Sequence, residues 1–253
     1  MQCLRKTRPG FTLVEMLVVV VIITILAAIL VPAIFYAQRT ARNARIAAEI
    51  GIMKQKLEAY NVKYQEYPPN FDDATKVNNH LRFCFSRRAA GDTTPTSLDP
   101  AEALVFWLRG YRNDQQFPVG GDVGSATDIS NRVDGFAFDT SRLVDVDGDG
   151  YKEYVAPFCQ NAPYVYFSSK NYSSATYGTA GGTYGVVRPY LRDDGSGQQV
   201  EFTTFQIVAA GQDGKFGTGT TAGQFPTGTS YSPEDNDNIG SFSGGKTLEN
   251  SNQ

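Results

Sequence analysis

The chain has 253 residues, 23 basic against 26 acidic side chains and a net charge of −3. That balance excludes the broad basic face of a nucleic-acid-binding protein, and no nucleic-acid partner is expected. With one histidine and no Ser–His–Asp set, phosphate-binding glycine loop or Cys-x-x-Cys pair, no enzymatic activity is expected either.

The first ten residues are basic, with Arg5, Lys6 and Arg8, and end in a lone glycine, Gly10. Phe11-Thr12-Leu13-Val14-Glu15-Met16 then opens an apolar run that lasts to Val31. As a helix this run spans roughly 32 Å, enough for a hydrocarbon core of about 30 Å. No second run of this kind follows, which predicts a single crossing. Glu15 stands at the mouth of the run. Inserting a carboxylate costs on the order of 2.5–3.5 kcal/mol, which marks it as a functional residue. A secretory signal would carry a shorter apolar region with its cleavage site behind it. A plain anchor would leave Glu15 without a purpose. The leader cations favour a cytoplasmic N-terminus, although Arg39, Arg42 and Arg45 at the far end oppose that bias.

The basic leader, the Gly10–Phe11 junction, the glutamate five residues past it and the apolar run resemble the type IV prepilin signal. Pilins and the pseudopilins of type II secretion share that signal. The resemblance implies that a prepilin peptidase cuts after Gly10 and methylates the new N-terminus at Phe11. It implies a single-pass inner-membrane protein with a periplasmic C-terminal domain, drawn later into a periplasm-spanning filament. Residues 1–10 would be the removed leader, 11–37 the transmembrane and assembly helix, 38–66 the exported half of that helix, and 67–253 a globular domain with long loops. Phe11, Glu15 and Pro32 are the candidate assembly residues. The implied partners are other copies of the chain in a helical homopolymer, the peptidase, an inner-membrane assembly platform, minor pseudopilins and the membrane.

Pro32 removes a backbone bond and predicts a kink. Beyond it, Ile46, Ile50, Met53, Leu57, Tyr60 and Tyr64 recur at helical intervals, a stripe suited to packing on the chain's own domain. The helix should end near Tyr64, before Tyr67-Pro68-Pro69, about 80 Å from Phe11. The segment Ile52–Tyr60 followed by Tyr67-Pro68-Pro69 is similar to the major pseudopilin of type II secretion. That resemblance covers roughly the first 70 residues and returns at the C-terminus; residues 70–162 form an insert that matches poorly.

Within the insert, Asp99-Pro100 reads as an N-cap and first helical residue, with Ala103, Leu104, Trp107 and Leu108 on one face and Gly110 as a stop. His80, in a polar context, reads as a surface residue. Short apolar runs follow at Phe136–Phe138, Glu153–Phe158, Pro163–Phe167, Gly185–Leu191 and Glu201–Ala209. They predict an antiparallel sheet laid on the long helix, a pilin-like α+β fold.

Asp145-Val146-Asp147-Gly148-Asp149-Gly150 has the opening spacing of a calcium loop, with oxygens at alternate positions and a glycine for the sharp turn. Its twelfth position is Ala156 rather than glutamate, so a solvated acidic turn is the competing description. A second candidate follows from the resemblance to major pseudopilins, whose C-terminal loop holds calcium. Asp213, Asp235, Asp237 and Asn238 occupy the corresponding stretches, across a longer intervening loop. Calcium is the expected cofactor, and an acidic tail without an ion is the alternative. With Cys3 in the leader, Cys84 and Cys159 could form one disulfide or remain two buried thiols.

Overall fold

The structure is a computed structural model that describes residues 11–120, 129–130, 132–219 and 221–252. The proposed leader, with Gly10, lies outside the described residues. The chain divides into two units, Met1–Ala41 and Arg42–Gln253.

The first element is helix α1, Leu13–Tyr64, which continues through Pro32 and ends where the Tyr67-Pro68-Pro69 signal requires. In the first unit every described side chain is exposed, from Phe11 through Ala41. The helix is long and apolar enough there to cross a membrane. In the second unit α1 behaves differently. Ile46, Ile50, Met53, Leu57 and Tyr60 are buried, the stripe that the spacing predicts, and Tyr64 packs partly against the same core. Burial of each such side chain contributes about 1.5–3 kcal/mol, so this stripe rather than helix propensity holds the C-terminal half of α1 in place.

Two further helices follow, α2 at Ala74–Cys84 and α3 at Pro100–Leu108. The second was expected and the first was not. Asp73 caps α2 by accepting the backbone N–H groups of Thr75 and Lys76. The buried face of α2 is only Val77 and Leu81 with His80 between them, too short an apolar pattern to mark a helix from the sequence. In α3 every residue from Ala101 to Leu108 is buried. Phe71, Phe106, Trp107 and Tyr60 form an aromatic cluster around it.

Among the described residues the strands are β1 Leu143–Val144, β2 Glu153–Tyr154, β3 Tyr164–Ser168, β4 Tyr177–Gly178, β5 Val186–Val187, β6 Leu191–Arg192, β7 Phe205–Ala209, β8 Gln224–Phe225 and β9 Ile239–Gly240. The central sheet is antiparallel in the order β3-β7-β9, with Tyr164 opposite Ala209 and Ser168 opposite Phe205. The other described strands form separate two-stranded sheets, β1-β2 and β4-β5 antiparallel and β6-β8 parallel. The fold is mixed α+β, as expected. The run Phe136–Phe138 forms no strand. Its two rings pack on Tyr154 and the Phe136 N–H donates to Leu108 O, so the segment serves as packing for the end of α3.

The free edge of β3 is closed by a side chain. Asn70 Nδ2 donates to Tyr166 O at 2.8 Å and Asn70 Oδ1 accepts from Ser168 N at 2.6 Å. This amide satisfies the backbone that an edge strand otherwise leaves open. Pro68 O and Pro69 O accept from the Tyr166 hydroxyl and the Trp107 indole N–H, which ties the loop after α1 to both the sheet and α3.

Candidate functional site

Three places contain the residues singled out from the sequence. The first is the start of α1. Thr12 Oγ1 accepts from Glu15 N at 3.2 Å, while Glu15 Oε2 accepts from Thr12 N and from Thr12 Oγ1, each at 2.8 Å. This is a capping box: two N–H groups that begin the helix without partners satisfy each other's side chains. Glu15 therefore has a local role that the sequence reading missed, and the Thr12-x-x-Glu15 spacing is the signal that would have revealed it. Phe11, 77 % exposed, precedes it.

The second place is the C-terminal loop. Asp235 Oδ1 accepts from the Tyr190 hydroxyl at 2.9 Å, and its Oδ2 accepts from Ser232 N and Oγ, each at 2.8 Å. Asn238 is fully buried, accepting from Gly211 N and donating to Phe216 O and Tyr190 Oη. Asp237 Oδ2 accepts from Asp213 N at 3.2 Å. The Asp237 carboxylate lies so close to Gly211 that any Cβ there would collide with it. Burial, followed by the charges of Asp237 and Glu234, raises the Asp213 carboxyl above its usual range. The structure thus brings Asp213 and Asp237 together but directs Asp235 and Asn238 to protein partners.

The third place is the turn between β1 and β2. Asp145 winds it: Oδ1 accepts from Gly148 N at 2.7 Å and Oδ2 from Gly150 N at 3.1 Å. Gly148 and Gly150 have φ of 85° and 99°, which β-carbon-bearing residues rarely adopt. Asp145 is therefore internal to the turn, whereas Asp147 and Asp149 face partners that sequence spacing does not reveal. Asp99, Asp147 and Glu153 bring carboxylate oxygens within 4.8 Å of one another, and so do Glu102, Asp147 and Asp149. Among the described residues these are the two acidic triads close enough to share an ion.

Asp99 and Glu102 come from the first turn of α3. Asp99 Oδ1 accepts from Ala101 N and Glu102 N, and Glu102 Oε2 accepts from Asp99 N at 2.7 Å, a second capping box. Burial, with Asp99 and Asp149 adding to it, pushes Glu102 up to about 9. Burial likewise pushes Glu153 up to about 8 and Asp99 to about 6, against the backbone bonds that favour their charged forms.

The remaining expectations concern Cys84, Cys159 and His80. Both cysteines are free thiols. Cys84 Sγ lies 3.5 Å from His80 Nε2 and 3.7 Å from Tyr60 Oη, whereas Cys159 is fully buried with its thiol toward Pro157 O. Burial raises Cys84 to about 11 and Cys159 to about 12, so neither forms a thiolate readily. Of the two alternatives that the sequence leaves open, the structure has two free thiols. His80 is buried rather than superficial, held between Tyr60 Oη at 2.9 Å and Glu66 Oε2 at 3.0 Å. Its burial lowers its pKa despite Glu66.

These features define a class of protein: an exposed, apolar, capped helix of membrane-crossing length in one unit and an α+β domain in the other. Residues 5–31 match the family model of the prokaryotic N-terminal methylation motif. That motif is a type IV pilin-like signal, of the kind that prepilin peptidase processes ahead of polymerisation. No curated protein and no solved structure matches the chain.

Proposed function

We propose that this chain is a structural subunit of a type II secretion pseudopilus, without catalytic activity of its own. The observation that carries the reading is Glu15 at the head of an exposed apolar helix within the methylation motif. Cleavage before Phe11 creates an α-amine beside it. The capping box engages Oε2 of Glu15. Its Oε1 can accept from the Phe11 amine of a neighbouring subunit. Pairing relieves the penalty that each charge carries in an apolar bundle, and it sets subunit register where greasy side chains alone would slide. Pro32, lacking an N–H, permits local unwinding as helices leave the bilayer. The similarity of Ile52–Tyr60 and Tyr67-Pro68-Pro69 to major pseudopilins supports the secretion role over a surface pilus for adhesion, motility or DNA uptake.

The test compares the secreted proteins of a strain lacking this gene with those of its parent. Loss of several folded exoenzymes from the medium, with accumulation in the periplasm, is expected. An unchanged secretome would redirect the assignment to a surface pilus.

A further inference from the structure

We propose that Asp99, Glu102, Asp147, Asp149 and Glu153 form a binding site for a divalent cation of the calcium class, with Asp147 shared between its two triads. The site lies wholly within the unit Arg42–Gln253 and so does not rest on the filament reading.

The five carboxylates come from three segments: the first turn of α3, the β1–β2 turn and the start of β2. One oxygen of each is already held by backbone. Asp99 Oδ1 and Glu102 Oε2 belong to the capping box, Asp147 Oδ1 accepts from Asp149 N, Asp149 Oδ1 from Tyr151 N, and Glu153 Oε2 from Val146 N. These bonds fix the orientation of every carboxylate and leave a second oxygen available. The decisive observation is at the two glutamates. Glu102 is 1 % exposed and Glu153 is fully buried, and Oε1 of each has no hydrogen-bond partner. A buried carboxylate oxygen without a partner is strongly disfavoured, and here each of the two glutamates belongs to one of the acidic triads. Among the described residues, no salt bridge includes any of the five.

An ion resolves both problems together, because it neutralises the charge and coordinates the free oxygens. Calcium takes six to eight oxygens at about 2.3–2.6 Å, so opposite ligands stand about 4.6–5.2 Å apart, a span the triads fit. Magnesium keeps several waters and rarely accepts an all-protein cage of this kind. The partial positive charge at the α3 N-terminus opposes any cation, but the two carboxylates seated there outweigh it.

The test uses the full chain in a neutral detergent, titrated calorimetrically with calcium chloride and followed in parallel by thermal melting. Wild type is compared with Glu102→Gln, Glu153→Gln and, as a probe of the C-terminal loop, Asp213→Asn. Saturable sub-millimolar binding is expected in wild type and in Asp213→Asn, weakened roughly tenfold or more in both glutamine variants. Without calcium, Glu153→Gln should melt at or above wild type, because it removes the cost of burying that carboxyl among other acids. Calcium should then raise the melting temperature of wild type but not of Glu153→Gln. Absence of saturable binding in wild type, undiminished binding in the glutamine variants, or loss confined to Asp213→Asn would each overturn the site. A Glu153→Gln chain that melts below wild type without calcium would assign that carboxylate to the fold and overturn it equally.

Discussion

Glu49 is the residue on which the C-terminal half of α1 meets the sheet. Its carboxylate accepts from Arg142 Nη1 at 2.9 Å, from the Tyr154 hydroxyl at 2.9 Å and from the Tyr164 hydroxyl at 2.6 Å, with Arg142 Nη2 adding a further bond. Burial opposes its ionisation, but the bonds from Arg142, Tyr164 and Tyr154 outweigh that and hold its carboxyl below the usual range. A depressed folded pKa gives stability that is complete above the ordinary glutamate value and lost as pH falls through the folded one. Glu49→Gln should therefore flatten the acid limb of a stability–pH curve, measured by denaturant unfolding at several pH values. Glu49→Ala should cost about 3 kcal/mol near neutrality, since it strands Arg142 and two tyrosine hydroxyls. Nothing near Glu49 in the chain announces this role, because Arg142 lies 93 residues away. At the other end of the helix, Glu15→Ala should leave the chain processed and folded but block efficient filament assembly. Filaments of normal abundance, counted by electron microscopy, would remove the register argument.

At the scale of elements, α1 was legible because its period and its stop signal are local. The stripe from Ile46 to Tyr60 is buried as its spacing implies, and the helix ends at Tyr64. Leu57→Ala, at the middle of that stripe, should cost about 2–5 kcal/mol through the cavity it leaves, read from the midpoint of urea unfolding. By contrast, α2 was missed, since its buried face depends on a histidine whose partners, Tyr60 and Glu66, are supplied by α1 and the loop after it. The strands were found where β-branched and aromatic residues alternate, as in β3 and β7. The apolar run at Phe136–Phe138 instead packs at the end of α3, and periodicity cannot tell these two fates apart. The calcium-like turn was recognised by its spacing, yet Asp145 proved to be the residue that winds it. Asp99 was foreseen as a cap, but its approach to Asp147 and Glu153 is a tertiary event.

On the scale of the whole molecule, the two units have opposite solvent requirements. The apolar side chains of the first are all exposed, whereas the buried stripe of the second begins at Ile46. A chain beginning at Arg42 should thus fold and remain soluble without detergent, and the full chain should not. A single cooperative melt by circular dichroism, with a monomeric elution volume, is the expected result for the shortened chain. Aggregation of that chain would show that residues before Arg42 contribute to its core.

The sequence by itself determined the processing signal, the membrane-length helix, the stripe on its C-terminal half and the α+β class. Each of these is written in neighbouring residues, through charge, period or a stop signal. Only the tertiary structure decided which acids converge, which thiols stay apart and where His80 and Glu49 find their partners. Those outcomes join residues separated by tens of positions, and they rest on a balance of burial and hydrogen bonding that no local pattern encodes.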